Sequence, residues 1–196
     1  LAIAFVIIFQ PELRRALETV GRSSLIVLAG SETGAKEGVV QNMIESIVRA
    51  CEQMSAAHTG ALIIIERETR LTELLEQENV VTLDSAISST ILQQIFYTGS
   101  PLHDGAALIR GGRIAGARIH VPLSDNYHLR RDYGTRHRAA VGASEIGDAI
   151  AIVVSEERGT ISIAIEGRLF VLDNADALRT LLHKILNPTR PAKGWS

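Results

Sequence analysis

The sequence predicts an α/β domain, built as a mixed, partly antiparallel central sheet flanked by helices. Three observations predict it. A helix-period stretch over residues 38–57 runs into Ala61-Leu-Ile-Ile-Ile65, an unbroken apolar run of the kind that is buried on both faces. Two apolar segments, residues 106–109 and 113–121, flank Gly111-Gly112, a pair able to take the positive φ angles that a tight hairpin demands. Residues 149–155 and 161–165 surround Glu156-Glu-Arg-Gly-Thr160 and read as a second hairpin.

The elements follow in order. Leu1-Ala-Ile-Ala-Phe-Val-Ile-Ile-Phe9 is apolar without a break before Gln10-Pro11. A bilayer takes about 20 residues to cross, and no basic region precedes this run as in a signal peptide. On these residues alone, the tail of a spanning helix and a buried strand or helix end both fit. Because the first residue is Leu1 rather than methionine, the chain is expected to be a piece of a longer protein. Pro11-Glu-Leu-Arg-Arg-Ala-Leu-Glu18 reads as a helix running into Gly21. Residues 22–37, small and polar around Gly30 and Gly34, read as a linker. The globular domain is expected over residues 38–187, with a tail over 188–196. Its first helix carries Met43, Ile44, Ile47, Val48, Cys51 and Met54 at spacings of three and four. Asp84 or Ser85 is expected to cap a helix burying Ile87, Ile91, Ile95 and Phe96, stopped by Gly99-Ser-Pro101. Leu178, Leu181, Leu182 and Ile185 mark a closing helix before Pro188 and Pro191.

Composition narrows the class of function. With 196 residues, the chain is about the size of one domain with room for a short appendage. Net charge is −2 and charged residues make up 21%, which excludes disorder and coiled coil and argues against a surface built wholly for nucleic acid. Aromatic residues at 4% leave little for a platform that stacks single-stranded bases. Cys51 is the only cysteine, so no internal disulfide and no CxxC zinc site can form, which fits a reducing compartment.

Three polar clusters interrupt the sheet pattern. Leu102-His103-Asp104-Gly105-Ala106 stands directly before a strand, where a glycine lets another backbone or a ligand come close; an Asp-Gly pair is also an ordinary turn. Gly134-Thr-Arg-His-Arg138 leads into the small, apolar Ala139-Ala-Val-Gly-Ala143. A glycine, a hydroxyl and two guanidinium groups entering a helix make a phosphate receptor, because backbone amides and the positive helix end add to the arginine forks. Arg130 and Arg131 nearby leave a solvated basic face about equally open on charge patterning alone, and the apolar run that the triplet abuts tilts the reading toward anion binding. Ser155-Glu156-Glu157 ends a strand, where carboxylates commonly serve as hairpin-tip solubilisers. Together with His103 they could instead hold a divalent cation. His58, His120, His128 and His183 show no ligand spacing. No GxxxxGK[ST], GxGxxG after a strand, GxSxG or HExxH occurs, which points to a phosphate-bearing substrate handled outside the common nucleotide folds.

At Asp104-Gly105-Ala106 and Arg136-His137-Arg138 the sequence resembles the diadenylate cyclase domain family, with its DGA and RHR motifs. Pro101-Leu-His-Asp-Gly-Ala106, Gly134-Thr-Arg-His-Arg-Ala-Ala140 and Val154-Ser-Glu-Glu157 all look like the family, over roughly residues 38–166. Phe9-Gln-Pro-Glu-Leu-Arg-Arg15 is similar to the juncture in the membrane-anchored, CdaA-type branch. That likeness turns the reading of residues 1–21 toward the end of a transmembrane segment and a juxtamembrane helix. It implies a cell-membrane protein whose catalytic domain faces the cytoplasm.

The resemblance implies condensation of two ATP molecules into cyclic di-AMP with release of two pyrophosphates, across a homodimer in which two subunits face each other. By motif position it implies that Asp104 accepts or polarises the proton of the attacking hydroxyl, with Gly105 and Ala106 allowing close approach. Thr135, Arg136, His137 and Arg138 are expected to bind phosphates with help from Ser155. His103 and Glu157 are expected at a metal, Mn²⁺ or Mg²⁺, with Glu156 the second-choice carboxylate. His120-Val121 falls where the family's strand lines the base pocket, on a looser match. Related systems also include a YbbR-repeat membrane regulator and phosphoglucosamine mutase as partners; no nucleic acid is expected. The competing readings are a non-catalytic nucleotide- or nucleic-acid-binding module and another phosphotransferase or pyrophosphatase with the same anion site.

Overall fold

The computed structural model describes residues 32–125 and 133–186. The chain divides into two compact units, Leu1–Val39 and Val40–Ser196. The described part of the first is helical and opens α1 (Glu32–Ala56). The second holds the remainder of that helix, then β1 (Ala61–Ile65), α2 (Thr72–Leu75), β2 (Val81–Ala86), α3 (Ser89–Phe96), β3 (Ala106–Arg110), β4 (Arg113–Ile119), α4 (Thr135–Glu145), β5 (Ile150–Val154), β6 (Ile161–Ile165), β7 (Arg168–Leu172) and α5 (Ala175–Leu186).

The seven strands form one sheet in the order β2-β4-β3-β1-β5-β6-β7. β1 and β3 run parallel, with Ile63 opposite Ala107. The other neighbours are antiparallel, so the sheet is mixed, as the sequence predicts. Every residue of β1 is buried, because alternate side chains enter two different cores. Ala61, Ile63 and Ile65 join Ile44, Ile47, Val48, Cys51 and Met54 of α1, Leu92, Ile95 and Phe96 of α3, and Leu178 and Leu182 of α5. Leu62 and Ile64 face the other way, toward Leu71, Leu74 and the alanines of α4. Helices therefore cover both faces of the sheet. Each fully buried leucine or isoleucine contributes about 1.5–3 kcal/mol, so the two cores supply most of the driving force.

Small residues on α4 allow an approach that larger ones would block. A Cβ on Gly142 would lie 2.0 Å from the Pro122 carbonyl oxygen, so the helix lies directly against the chain that leaves β4. At the far end of β1, Glu66 is buried and clamped. Arg110 donates to both carboxylate oxygens, at 2.8 and 2.7 Å. Arg70 and the Leu71 amide donate to it as well, each at 2.9 Å. This ties the ends of the parallel pair β1 and β3 to the start of α2.

The short helix α2 was not read from the sequence, and three further stretches depart from that reading. The first helix opens at Glu32 rather than residue 38, so the end of the stretch read as a linker is helical. A glycine inside a helix costs only about 1 kcal/mol, which Gly34 can be carried through. The helix expected from Asp84 or Ser85 instead starts after Ser88, whose Oγ accepts from the Ile91 amide at 3.2 Å. Residues 81–86 alternate half-buried and exposed, and they pair with β4, so the period of two prevails over the capping signal. The third is β7, absent from the sequence reading. Glu166 and Gly167, at φ 49° and 71°, form its turn, and its exposed Phe170 and Val171 hide the usual alternation. Residues 1–21, most of the 22–37 stretch, the tail over 188–196, His128, Arg130 and Arg131 lie outside the described residues. Among the described residues no helix is long and apolar enough to cross a membrane.

Candidate active site

Three chain segments meet at one cavity of about 430 Å³, within the 300–1,000 Å³ range common for ligand sites. The first is the loop between α3 and β3. Its turn is locked by the Ser100 amide on the Tyr97 carbonyl at 2.7 Å and the Leu102 amide on Ser100 Oγ at 3.1 Å. It ends on Asp104, exposed and lining the cavity. Gly105 follows at φ 114°, where a Cβ would meet the Ile119 carbonyl oxygen at 2.8 Å and its nitrogen at 2.9 Å. Only glycine satisfies both the backbone angle and the contact with β4. Ala106 begins β3 opposite Ile119 and is buried in the core beneath, so it supports the loop without lining the cavity.

The second segment is the start of α4. Gly134 caps it without a side-chain bond, and no acidic residue lies in the first turn to offset the helix dipole. The helix thus presents a positive end beside Thr135, Arg136 and His137, all of which line the cavity. His137 is buried and stacked on Tyr133, with ring centroids 5.0 Å apart. Arg136 Nη1 donates to Glu156 Oε2 at 2.7 Å. Arg138 does not line the cavity: it is exposed, and its Nη2 donates to the Ser124 carbonyl at 3.2 Å, holding the segment that Gly142 lets in.

The third segment is the turn between β5 and β6. Ser155, Glu156 and Glu157 all line the cavity. Ser155 is buried, and its Oγ accepts from the Arg158 amide at 3.3 Å, which fixes the turn. The apolar wall comes from Leu62, Ile119, Val121, Leu123, Val154 and Val171. Next to it, the Gln77 side chain brackets the His120 backbone, donating to its carbonyl at 2.8 Å and accepting from its amide at 3.1 Å.

Of the two residues expected at a metal, Glu157 lines the cavity and His103 does not. His103 Nδ1 lies 2.6 Å from the Ser100 carbonyl oxygen, which can only accept, so Nδ1 is the donor there and Nε2 is the ring nitrogen left out of that contact. Among the described residues no three His, Cys, Asp or Glu side chains form a metal cluster. A donor set this sparse fits a hard divalent ion that takes its other ligands from phosphates and water. Cys51 has no part in the chemistry: burial pushes its thiol up to about 12.

Sequence reasoning missed Gly60, Tyr133 and Val171. Gly60 carried a readable signal, since it stands at a strand entrance as Gly105 does, and a Cβ there would lie 2.3 Å from Arg136 Nη1. Val171 carried none, because β7 was not recognisable.

A three-layer α/β domain with an acidic glycine loop facing a positive helix end is the class of protein that fold and site define. The chain belongs to the family described as DisA bacterial checkpoint controller nucleotide-binding, the diadenylate cyclase domain, whose model matches residues 48–169. It is 45% identical to the diadenylate cyclase of Listeria monocytogenes over 94% of this chain and 64% of that protein. It is 41% identical to the cyclic di-AMP synthase CdaA of Bacillus subtilis over 92% of this chain and 64% of that one. The chain thus spans a little under two thirds of these relatives' length. Among solved structures it is similar to a double cysteine variant of DacA from Staphylococcus aureus, with 41% identity and a TM-score of 0.69 over 72% of this chain and 93% of that one. A hypothetical membrane spanning protein from Bacillus cereus is also similar, with 30% identity and a TM-score of 0.61 over 86% of this chain and 79% of that one.

Proposed function

We propose that this domain is a diadenylate cyclase, condensing two ATP molecules into cyclic di-AMP and releasing two pyrophosphates. The observation that carries the reading is that Asp104 and the start of α4 line the same cavity. An acid that can orient a hydroxyl then faces a group of donors that can hold a phosphate. The diadenylate cyclase and cyclic di-AMP synthase relatives support it.

The roles follow from the residues. The apolar wall takes the purine. The first amides of α4, Thr135, the free edge of Arg136 and Ser155 take the phosphates, with His137 completing the wall beside them. Asp104 orients the 3′-hydroxyl and draws off its proton as the oxygen attacks an α-phosphorus, and pyrophosphate leaves. Gly105 brings that acid close to β4. Catalysis of this kind is mostly positioning and charge stabilisation, each charge-assisted hydrogen bond contributing about 1.5–3 kcal/mol. Arg138 acts through Ser124, shaping the cavity from outside it.

A bound Mn²⁺ or Mg²⁺ would neutralise phosphate charge, with Glu157 and His103 Nε2 as the protein ligands. Two ATP molecules must present reciprocal hydroxyls and phosphates, so a homodimer with facing cavities is part of the reading. The reading includes membrane anchoring through segments before the domain, with the domain in the cytoplasm; the likeness to CdaA and to the membrane spanning protein of Bacillus cereus supports the membrane association. The test is incubation with ATP and Mn²⁺ followed by mass analysis of nucleotides. Cyclic di-AMP and pyrophosphate in a ratio of one to two are expected. Free ADP, AMP or unchanged ATP alone would contradict the proposal.

A further inference from the structure

We infer that Glu156 is a positioning residue for the Arg136 guanidinium, and that Gly60 supplies the open space across which the two side chains meet. The inference rests on the reading that this cavity takes ATP, and it names a contact that decides how tightly.

Arg136 Nη1 donates to Glu156 Oε2 at 2.7 Å. Both atoms lie over the bare Cα of Gly60, where a Cβ would be 2.3 Å from Nη1 and 2.7 Å from Oε2. The Arg136 side chain is 26% exposed, whereas Glu156 at 63% reaches in from solvent. One nitrogen is thereby committed, leaving Nε and Nη2 as a planar fork of the kind that grips phosphate oxygens. A long side chain loses rotamer freedom when it takes hold of an anion, and one already held loses less.

Charge and positioning oppose each other here, which makes the sign of the effect informative. Glu156 is a carboxylate in a cavity meant for polyphosphate. If it acted only through its charge, removing it would tighten nucleotide binding. If it positions Arg136, removing it weakens binding in spite of the relieved repulsion. Gly60→Ala provides a second route to the same result without altering any charge, since the added methyl must push the pair apart. Gly60 has an ordinary backbone φ, so alanine adds no backbone strain there.

The experiment measures the Kd of a nonhydrolysable ATP analogue by calorimetry, with KM and kcat for cyclic di-AMP formation, on Glu156→Ala, Glu156→Gln and Gly60→Ala. Glu156→Ala and Gly60→Ala should weaken binding about three- to tenfold and raise KM alike, with kcat within about twofold. Glu156→Gln keeps an acceptor oxygen without the charge and should bind as tightly as the parent chain or tighter. Unchanged or tighter binding by Glu156→Ala overturns the inference, as does an equal loss in Glu156→Gln and Glu156→Ala. Circular dichroism identifies a misfolded Gly60→Ala, in which case the two Glu156 variants decide. A parent chain that binds the analogue but forms no cyclic dinucleotide overturns the cyclase reading alone, because the Kd comparison still stands.

Discussion

One loop carries the chemical role proposed for Asp104 and the geometric role of Gly105. Asp104 is exposed at the end of its loop, so Asp104→Asn should leave the analogue Kd within a few-fold while product formation falls by at least about a hundredfold. Turnover near the parent value would remove the acid from the mechanism. Gly105 is the reverse case. A side chain there meets both the positive φ of 114° and the backbone of Ile119 at 2.8 Å. Gly105→Ala should cost at least about 2 kcal/mol, read as a melting temperature lower by roughly 5–10 °C, and should lose activity together with stability. The pair was legible through its likeness to the family's DGA motif, since an acid and a glycine before a strand also read as an ordinary turn. The partition of the arginines was not. Arg136 and Arg138 are alike in sequence, but the helical spacing turns one into the cavity and the other onto the Ser124 carbonyl.

At the scale of elements, the link between β1, β3 and α2 makes a pH-dependent contribution. Burial works to raise the Glu66 carboxyl, but the hydrogen bonds from Arg110, the Leu71 amide and Arg70 outweigh it and hold the group below the ordinary glutamate range. A depressed folded-state value means that this contribution is fully present above the unfolded glutamate pKa of about 4.3 and is lost as pH falls through the folded value. Glu66→Gln should therefore be less stable than the parent chain by about 2–4 kcal/mol near pH 7, and the gap should narrow on going to about pH 3. Urea midpoints at the two pH values measure it; a constant gap would contradict the account. The elements best read in advance were those with one dominant signal, such as β1 and the Gly111-Gly112 hairpin. β2 and β7 were lost because a capping residue and exposed apolar side chains competed with the period-two pattern. At the β7 edge burial writes no clean alternation, whereas β2 at the other edge keeps it.

For the whole molecule, the layered arrangement accounts for the site's location. α4 packs on the sheet through small residues, which lets the chain after β4 lie against it and closes the cavity between helix end, strand ends and turn. The order of the strands brings β1 beside both β3 and β5, so the Asp104 loop, Gly60 and the Glu156 turn meet although they are far apart in sequence. Motif spacing could not supply that juxtaposition. A ring closed from two nucleotides needs two such cavities, so specific activity should rise with protein concentration through the dimerisation range. A flat profile in a sample shown to be monomeric would contradict the facing arrangement.

The most direct measurement is a crystal structure of the domain with a nonhydrolysable ATP analogue and Mn²⁺. The triphosphate is expected at the start of α4 on Thr135 and Arg136, the purine against Leu62 and Val121, and Asp104 beside the ribose of a nucleotide. An analogue bound elsewhere, with Asp104 and the α4 amides untouched, would contradict it.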